Sequence, residues 1–203
     1  MKDEKTFLAT KKIFIITGPS GAGKGSVINK ITDRYKYFTL PDSFTTRPKR
    51  VIEGTRKKYI FIDTKTFKNY VKQNKMLEYE QEHLWWYGTS KESFDLALKS
   101  DKQLILELEP RGALTIKKIY PSQAVIIFIN PGSIEELKMR ILADPRRNNI
   151  DPKELDTRSN FARKELKYAK KCDYVVDNKN NYLDEAVNEV IQIIQNEIGI
   201  KLE

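Results

Sequence analysis

A single cysteine, Cys172, excludes an internal disulfide and fits a reducing, cytoplasmic setting. A single histidine, His83, argues against a metal centre built on histidines. No apolar run approaches the ~20 residues that a membrane-spanning helix requires. The opening stretch MKDEKTFLATKK is too polar for a secretory leader, and residues 1–11 are expected to form a loose N-terminal arm. Internal repeats and low-complexity tracts are missing as well. What remains is 203 residues, 39% hydrophobic and 32% charged, the composition of a soluble globular domain with a real core.

The net charge of +9 raises the question of a polyanionic partner. Its placement narrows the answer. Arginines gather in two short clusters, Arg47 to Arg56 and Arg140 to Arg158, while many lysines scatter over helix-patterned segments. This pattern fits a site for small polyanions plus a solvated lysine surface, rather than a nucleic-acid binder.

The chain alternates between strand and helix patterns. KKIFIITG, QLILEL (103–108), QAVIIFIN (123–130) and DYVV (173–176) are continuous apolar runs, as in a parallel sheet covered on both faces. Helical spacing reads in GKGSVINKITDRYKY, ALTIKKIY, SIEELKMRILA, PKELDTRSNFARKELKYAKK and YLDEAVNEVIQIIQNEI. Such alternation predicts an α/β fold with a parallel sheet. Residues 38–89 differ, with short segments (YIFI, MLEYE, LWWYG) and one helix, TFKNYVKQN, and read as a small, mostly β insertion. The polar stretch ADPRRNNIDP reads as a mobile loop. The expected layout is core at 12–37, insertion at 38–89, core at 90–142, lid at 143–157 and core again at 158–203.

ITGPSGAGKGSV lies between the first strand and the first helix. Gly18 to Lys24 matches GxxxxGK, whose glycines let backbone N–H groups curl around phosphate oxygens at a helix N-terminus. Lys24 is placed to reach the terminal phosphates of a nucleoside triphosphate. Gly25 stands where a serine or threonine ordinarily touches Mg²⁺, and Ser26 follows one residue later. Mg²⁺ accompanying ATP is then held mainly by water and phosphate oxygens.

A second cluster, Ser43-Phe-Thr-Thr-Arg47-Pro-Lys-Arg50-Val-Ile-Glu53 followed by Tyr59, suits a phosphate monoester. Arginines offer planar multi-donor contacts to phosphate, tyrosines add hydroxyl donors, and Glu53 can orient an arginine. By itself the cluster is equally compatible with an exposed basic surface.

Together GPSGAGKGS, SFTTRPKR with Glu53 and Tyr59, MLEYE, WYGTSKE, ELEPRGA and DYVVDN resemble the guanylate kinase family in order and spacing, from about Ile13 to Ile198. The resemblance implies a P-loop kinase core with a five-stranded parallel sheet flanked by helices, a small mixed β insertion for GMP, and a mobile lid. It implies ATP and GMP as substrates, neither nucleic acid nor membrane as partner, and a monomer or homodimer. The GMP phosphate would meet Arg47, Arg50, Tyr59 and Tyr87, with Glu53 beside them. Guanine would meet Ser43, Glu78, Thr89 and Glu109. The ATP side would use Gly18, Ser20, Gly21, Ala22, Gly23, Lys24, Gly25, Ser26, Asn178 and Arg146 or its neighbour Arg147. Lys24, Arg50, Arg140 and Arg158 would hold charge during transfer. The resemblance provides no direct protein ligand for Mg²⁺ and sets Glu107 near the metal through water.

A carboxylate suits guanine because N1–H and the N2 amino group are adjacent donors and an ionised carboxylate only accepts. The chain departs from the family pattern at Phe44, at Arg56 and Lys58, at Leu84-Trp85-Trp86, and at Pro110-Arg111, where a glutamine is usual. These departures gather on the acceptor side and leave the donor loop intact. Two alternatives follow: a P-loop kinase with another small phosphorylated acceptor, and a non-catalytic guanylate-kinase-like binding domain.

Overall fold

The structure, a computed structural model, describes residues 11–49, 59–82, 84–144 and 150–202. Its first strand, β1 (Ile13–Thr17), is buried along its whole length. Period-two alternation sends Phe14 and Ile16 to one face of a sheet and Ile13 and Ile15 to the other. Both faces are therefore covered, which is why this strand reads as unbroken apolar sequence.

β1 is the centre of a five-stranded sheet ordered β2-β7-β1-β8-β9. The partners are β2 (Phe38–Thr39), β7 (Gln103–Glu107), β8 (Ala124–Asn130) and β9 (Tyr174–Asp177), every neighbouring pair being parallel. On the Phe14 face pack α1 (Lys24–Arg34) through Val27, Ile28 and Ile31, and the last helix through Ala186, Val190, Ile193 and Ile194. On the Ile13 face lie Phe94 and Ala97 of α3 (Lys91–Lys99) and Ala113 and Ile116 of α4 (Pro110–Ile119). Each such fully buried large side chain contributes about 1.5–3 kcal/mol. The chain leaves β1 toward β7 on one side and crosses to β8 on the other. A crevice opens at the carboxyl ends of these strands, where parallel α/β sheets bind ligands.

A second sheet of mixed direction runs β4-β3-β6-β5. It comprises β3 (Ser43–Thr45), β4 (Tyr59–Phe61), β5 (Met76–Glu82) and β6 (Trp85–Ser90), with α2 (Thr64–Lys72) between β4 and β5. Phe67 of α2 is fully buried and lies 5.8 Å, ring to ring, from Trp86. Trp86 is thus a packing residue of the small sheet.

A third, smaller cluster joins α5 (Ile134–Ala143) to α6 (Pro152–Glu165) through Leu137, Ile141 and Ala162. α5 begins with a reciprocal capping box between Ser133 and Glu136. After α6 come a 3₁₀ turn (Leu166–Lys171), β9, and α7 (Leu183–Ile198).

Four details depart from the sequence reading. Phe38 and Thr39 belong to the large sheet, so the small sheet starts at Ser43 and not at residue 38. The stretch 152–171 is two elements, α6 and the 3₁₀ turn. α6 also runs unbroken through residues 157 and 158, where the lid was expected to end. The helix α3 has no counterpart in the sequence reading; Ser90 caps it by accepting from the Ser93 N–H at 3.2 Å.

Candidate active site

The loop after β1 is shaped by three glycines, Gly18, Gly21 and Gly23, all at positive φ. A side-chain carbon on Gly18 would lie 2.5 Å from the Ile129 carbonyl oxygen, so only glycine lets the loop cross the end of β8. Gly23 is the N-cap of α1. No side chain caps this helix and no acid stands in its first turn. Its positive dipole end therefore faces the crevice unneutralised, as an anion site requires.

Lys24, the first residue of α1, is only 7% exposed. Its Nζ donates to the Gly18 carbonyl at 2.5 Å and pairs with Glu109 Oε1 at 3.1 Å. Burial opposes its charge, yet the carboxylates of Glu109, Glu82, Glu107 and Glu165 outweigh burial and hold its pKa above the ordinary lysine value. Burial likewise pushes Glu109 up to about 7 against the pull of Lys24, with Glu82 and Glu107 adding repulsion.

The mixed sheet faces this loop across a cleft of about 610 Å³. Strand register builds its far wall. Tyr59 on β4 pairs with Ser43 on β3, Ser43 pairs with Thr89 on β6, and Thr89 pairs with Glu78 on β5. Four residues named from sequence thus form one rung across four strands. The next rung on the same face is Phe61, Thr45, Tyr87 and Glu80. Glu78 Oε1 accepts from the Thr89 N–H at 3.0 Å and the Thr89 hydroxyl at 2.6 Å. Arg47 is buried, its guanidinium carbon 5.5 Å from the Tyr59 ring centroid and 5.3 Å from that of Phe61. Burial raises the Tyr59 pKa above the ordinary phenol value, so its hydroxyl remains a donor.

Period two along β5 explains two carboxylates that the sequence reading missed. Glu78, Glu80 and Glu82 line the cleft, while Tyr79 and Gln81 turn to solvent. Arg111, standing where the family has glutamine, donates to Glu80 Oε1 at 2.5 Å. Glu80 Oε2 is buried without a hydrogen-bond partner. Gly112 lets the head of α4 come close: a side-chain carbon there would sit 2.7 Å from Glu78 Oε2.

Most of the remaining expected residues converge on the same cleft. Ser20, Gly21, Gly25, Ser26, Glu107, Arg140 and Asn178 line it. Arg158 reaches the loop by donating to the Ser20 hydroxyl at 3.2 Å, and Glu154 holds it from the other side at 2.8 Å. Arg140 donates to Asn180 Oδ1 at 3.0 Å, and burial lowers its pKa. Ala22 is different: its side chain is packed in the core, and only its carbonyl takes part, accepting from Asn178 Nδ2 at 2.7 Å. Arg50, Glu53, Arg146 and Arg147 lie outside the described residues. Lys179, Asn180 and Asn181 also line the donor end, a placement set by the β9–α7 connection and carrying no motif.

A glycine loop on a parallel sheet, with Lys24 at its helix head, opposite a polar acceptor wall rich in carboxylates, defines a P-loop kinase for a small acceptor. Residues 10–197 match the family model for guanylate kinase. The chain belongs to the guanylate kinase family. It is 36% identical over 189 residues to the guanylate kinase of Mycoplasma genitalium, covering 92% of this chain and 76% of that protein. With the guanylate kinase of Nitrosomonas europaea it shares 37% identity over 185 residues, covering 91% and 89%. The crystal structure of guanylate kinase from Anaplasma phagocytophilum superposes with a TM-score of 0.73 at 22% identity, covering 92% of this chain and 86% of that one. That likeness concerns the fold. Among the described residues no helix is long and apolar enough to cross a membrane.

Proposed function

We infer that this chain transfers the γ-phosphoryl group of ATP to GMP, giving ADP and GDP. The observation that carries the reading is the Tyr59–Ser43–Thr89–Glu78 rung facing the P-loop across one cleft. In this reading the α1 N-terminus and Lys24 take the donor phosphates. Arg47 and Arg50, with the Tyr59 and Tyr87 hydroxyls, take the acceptor phosphate. Ser43, Glu78, Thr89 and Glu109 take guanine. Arg140 and Arg158 stabilise charge as it shifts from donor to acceptor. Phosphoryl transfer needs little covalent chemistry from the protein, so positioning and charge stabilisation carry the rate.

The donor set near Gly25 fits a hydrated Mg²⁺. The Glu107 carboxylate faces Gly25, with Oε1 3.8 Å from where a side-chain carbon would sit, and Ser26 is exposed beside it. Glu107 would meet Mg²⁺ through water, and the ion would supply charge neutralisation at the donor phosphates.

The single cysteine and the small-molecule site support a cytoplasmic role in purine nucleotide metabolism, without nucleic acid or membrane as partner. The acceptor-side departures favour one comparison in the test. ADP formation from Mg-ATP is measured with GMP, AMP, CMP, UMP or no acceptor. Strong dependence on GMP alone is expected. Activity with another acceptor instead would keep the kinase and discard guanine. ATP binding without transfer to any acceptor, or failure to bind ATP, would overturn the reading.

A further inference from the structure

The two carboxylates assigned to guanine stand on different elements. Glu78 lies on β5 of the small sheet, and Glu109 is the N-cap of α4. α4 is fixed to the large sheet through Ala113 and Ile116. The spacing of the two carboxylates therefore depends on how the head of α4 meets β5. Arg111 and Gly112 make that junction. Arg111 Nε donates to Glu80 Oε1 at 2.5 Å, in an ion pair. Gly112 lies against the Glu78 carboxylate, so close that a side-chain carbon there would sit 2.7 Å from Oε2. We propose that Arg111 is a positioning residue for guanine specificity: through its ion pair with Glu80 it straps the head of α4 to β5 and so sets the spacing between Glu78 and Glu109.

The pair is unevenly exposed. The Arg111 side chain is 65% exposed and stands outside the cleft, so it acts through other residues and not on the nucleotide. The Glu80 side chain is 15% exposed and lines the cleft. An ion pair in full solvent contributes little, but a shielded carboxylate that loses its cation is left uncompensated. Burial pushes the Glu80 pKa up, Arg111 pulls it back, and the Glu109 carboxylate adds repulsion. Its Oε2 is buried without a hydrogen-bond partner, so the Arg111 contact at Oε1 matters more. The glutamine usual at position 111 would offer a hydrogen bond without the charge. Guanine is sensitive to such a strap because its N1–H and N2 amino donors sit on one rigid ring. A shift of α4 away from β5 leaves one of them short of its acceptor. A base without the N2 amino group, as in IMP, has less to lose.

The specificity role rests on the GMP kinase reading, whereas the strap can be tested without the reaction. Wild type, Arg111→Ala, Glu80→Ala and the double variant form a cycle. kcat/KM is measured for GMP and for IMP at saturating Mg-ATP. Arg111→Ala should lower the GMP value about tenfold, mainly through KM, and the IMP value only about twofold, so that the preference for GMP shrinks. The KM for ATP should hold. The double variant should be no worse than Arg111→Ala, because the strap is already lost. Equal losses with GMP and IMP, or losses that add in the double variant, would overturn the specificity role. Melting temperatures of the same four proteins read the strap itself. The two single shifts should fail to add, and additive shifts would overturn the strap. A wild type inactive on GMP would sink the kinase reading, and the melting cycle would still decide the strap.

Discussion

Thr89 donates both its backbone N–H and its hydroxyl to the same oxygen of Glu78, at 3.0 and 2.6 Å. Both donors require an acceptor there, and a carboxylate accepts at every lone pair. In Glu78→Gln the amide oxygen would remain with Thr89 and the NH₂ would turn toward the cleft, presenting donors to the donor edge of guanine. A buried donor facing a donor leaves both unpaired. The expected result is a fall in kcat/KM for GMP of about a hundredfold, with the KM for ATP unchanged. Steady-state kinetics varying each substrate in turn checks this. Unaltered GMP kinetics would show that Glu78 does not contact the base.

Gly112 gives an independent route to the same carboxylate. Its missing side chain is what lets α4 approach Glu78 Oε2, since a carbon there would sit 2.7 Å away. Gly112→Ala leaves every charge in place and must push Glu78 or the head of α4 aside. GMP affinity should fall about tenfold while ATP binding holds, because the clash lies on the acceptor wall. Calorimetric titration of each nucleotide separates the two. Loss of both affinities would mean that the disturbance spreads to the loop through Glu109, three residues earlier.

How far sequence reaches this site depends on what each residue needs for its placement. Three of the five core strands, β1, β7 and β8, are legible because each is an apolar run buried on both faces, and β9 is legible as the short run DYVV although only Val176 of it is buried. β2 is not, since two residues, only one of them buried, cannot display a period. α3 escapes for a related reason: its buried face is only Phe94 and Ala97, and its cap is the serine that closes the WYGTS motif. At the site, residues carried by local motifs, the loop from Pro19 and Ser43, Arg47, Glu78 and Thr89, line one cleft. Glu80 and Glu82 were not named, because their orientation follows from β5 register and the irregularity between Met76 and Glu78.

Lys24 links charge to stability as well as to catalysis. Removing it takes away the cation that faces the donor phosphates and should lower kcat by about a thousandfold. It also strands Glu109, whose pKa already stands at about 7 with the lysine present. In Lys24→Ala that carboxyl titrates still higher, while its unfolded value stays near the ordinary 4.5. A raised folded pKa means that the folded state holds the extra proton, so stability falls as pH rises through the window between the two values. The Tm deficit of Lys24→Ala should therefore be small at mildly acid pH and widen above neutrality. A deficit that shrinks with pH would show that Glu109 is not the group left unpaired.

Gly25 stands where the general phosphate-loop motif has serine or threonine, and its surroundings are permissive. A side-chain carbon there meets only Glu107 Oε1, at an ordinary 3.8 Å, and Gly25 is not among the positive-φ residues. Neither crowding nor backbone strain requires glycine at this position. Gly25→Ser should therefore fold normally, with a Tm equal to or slightly above wild type, since serine in the first turn loses less backbone entropy than glycine. Its hydroxyl would stand between the loop and Glu107, where the water-held ion is proposed to sit. Mg-ATP should bind at least as tightly as in the wild type, and the Mg²⁺ concentration for half-maximal rate should fall. Titrating Mg²⁺ at fixed ATP and GMP checks this. A weaker metal response in a well-folded Gly25→Ser would mean that the space beside Gly25 is occupied by something the hydroxyl displaces, and would move the ion away from Glu107.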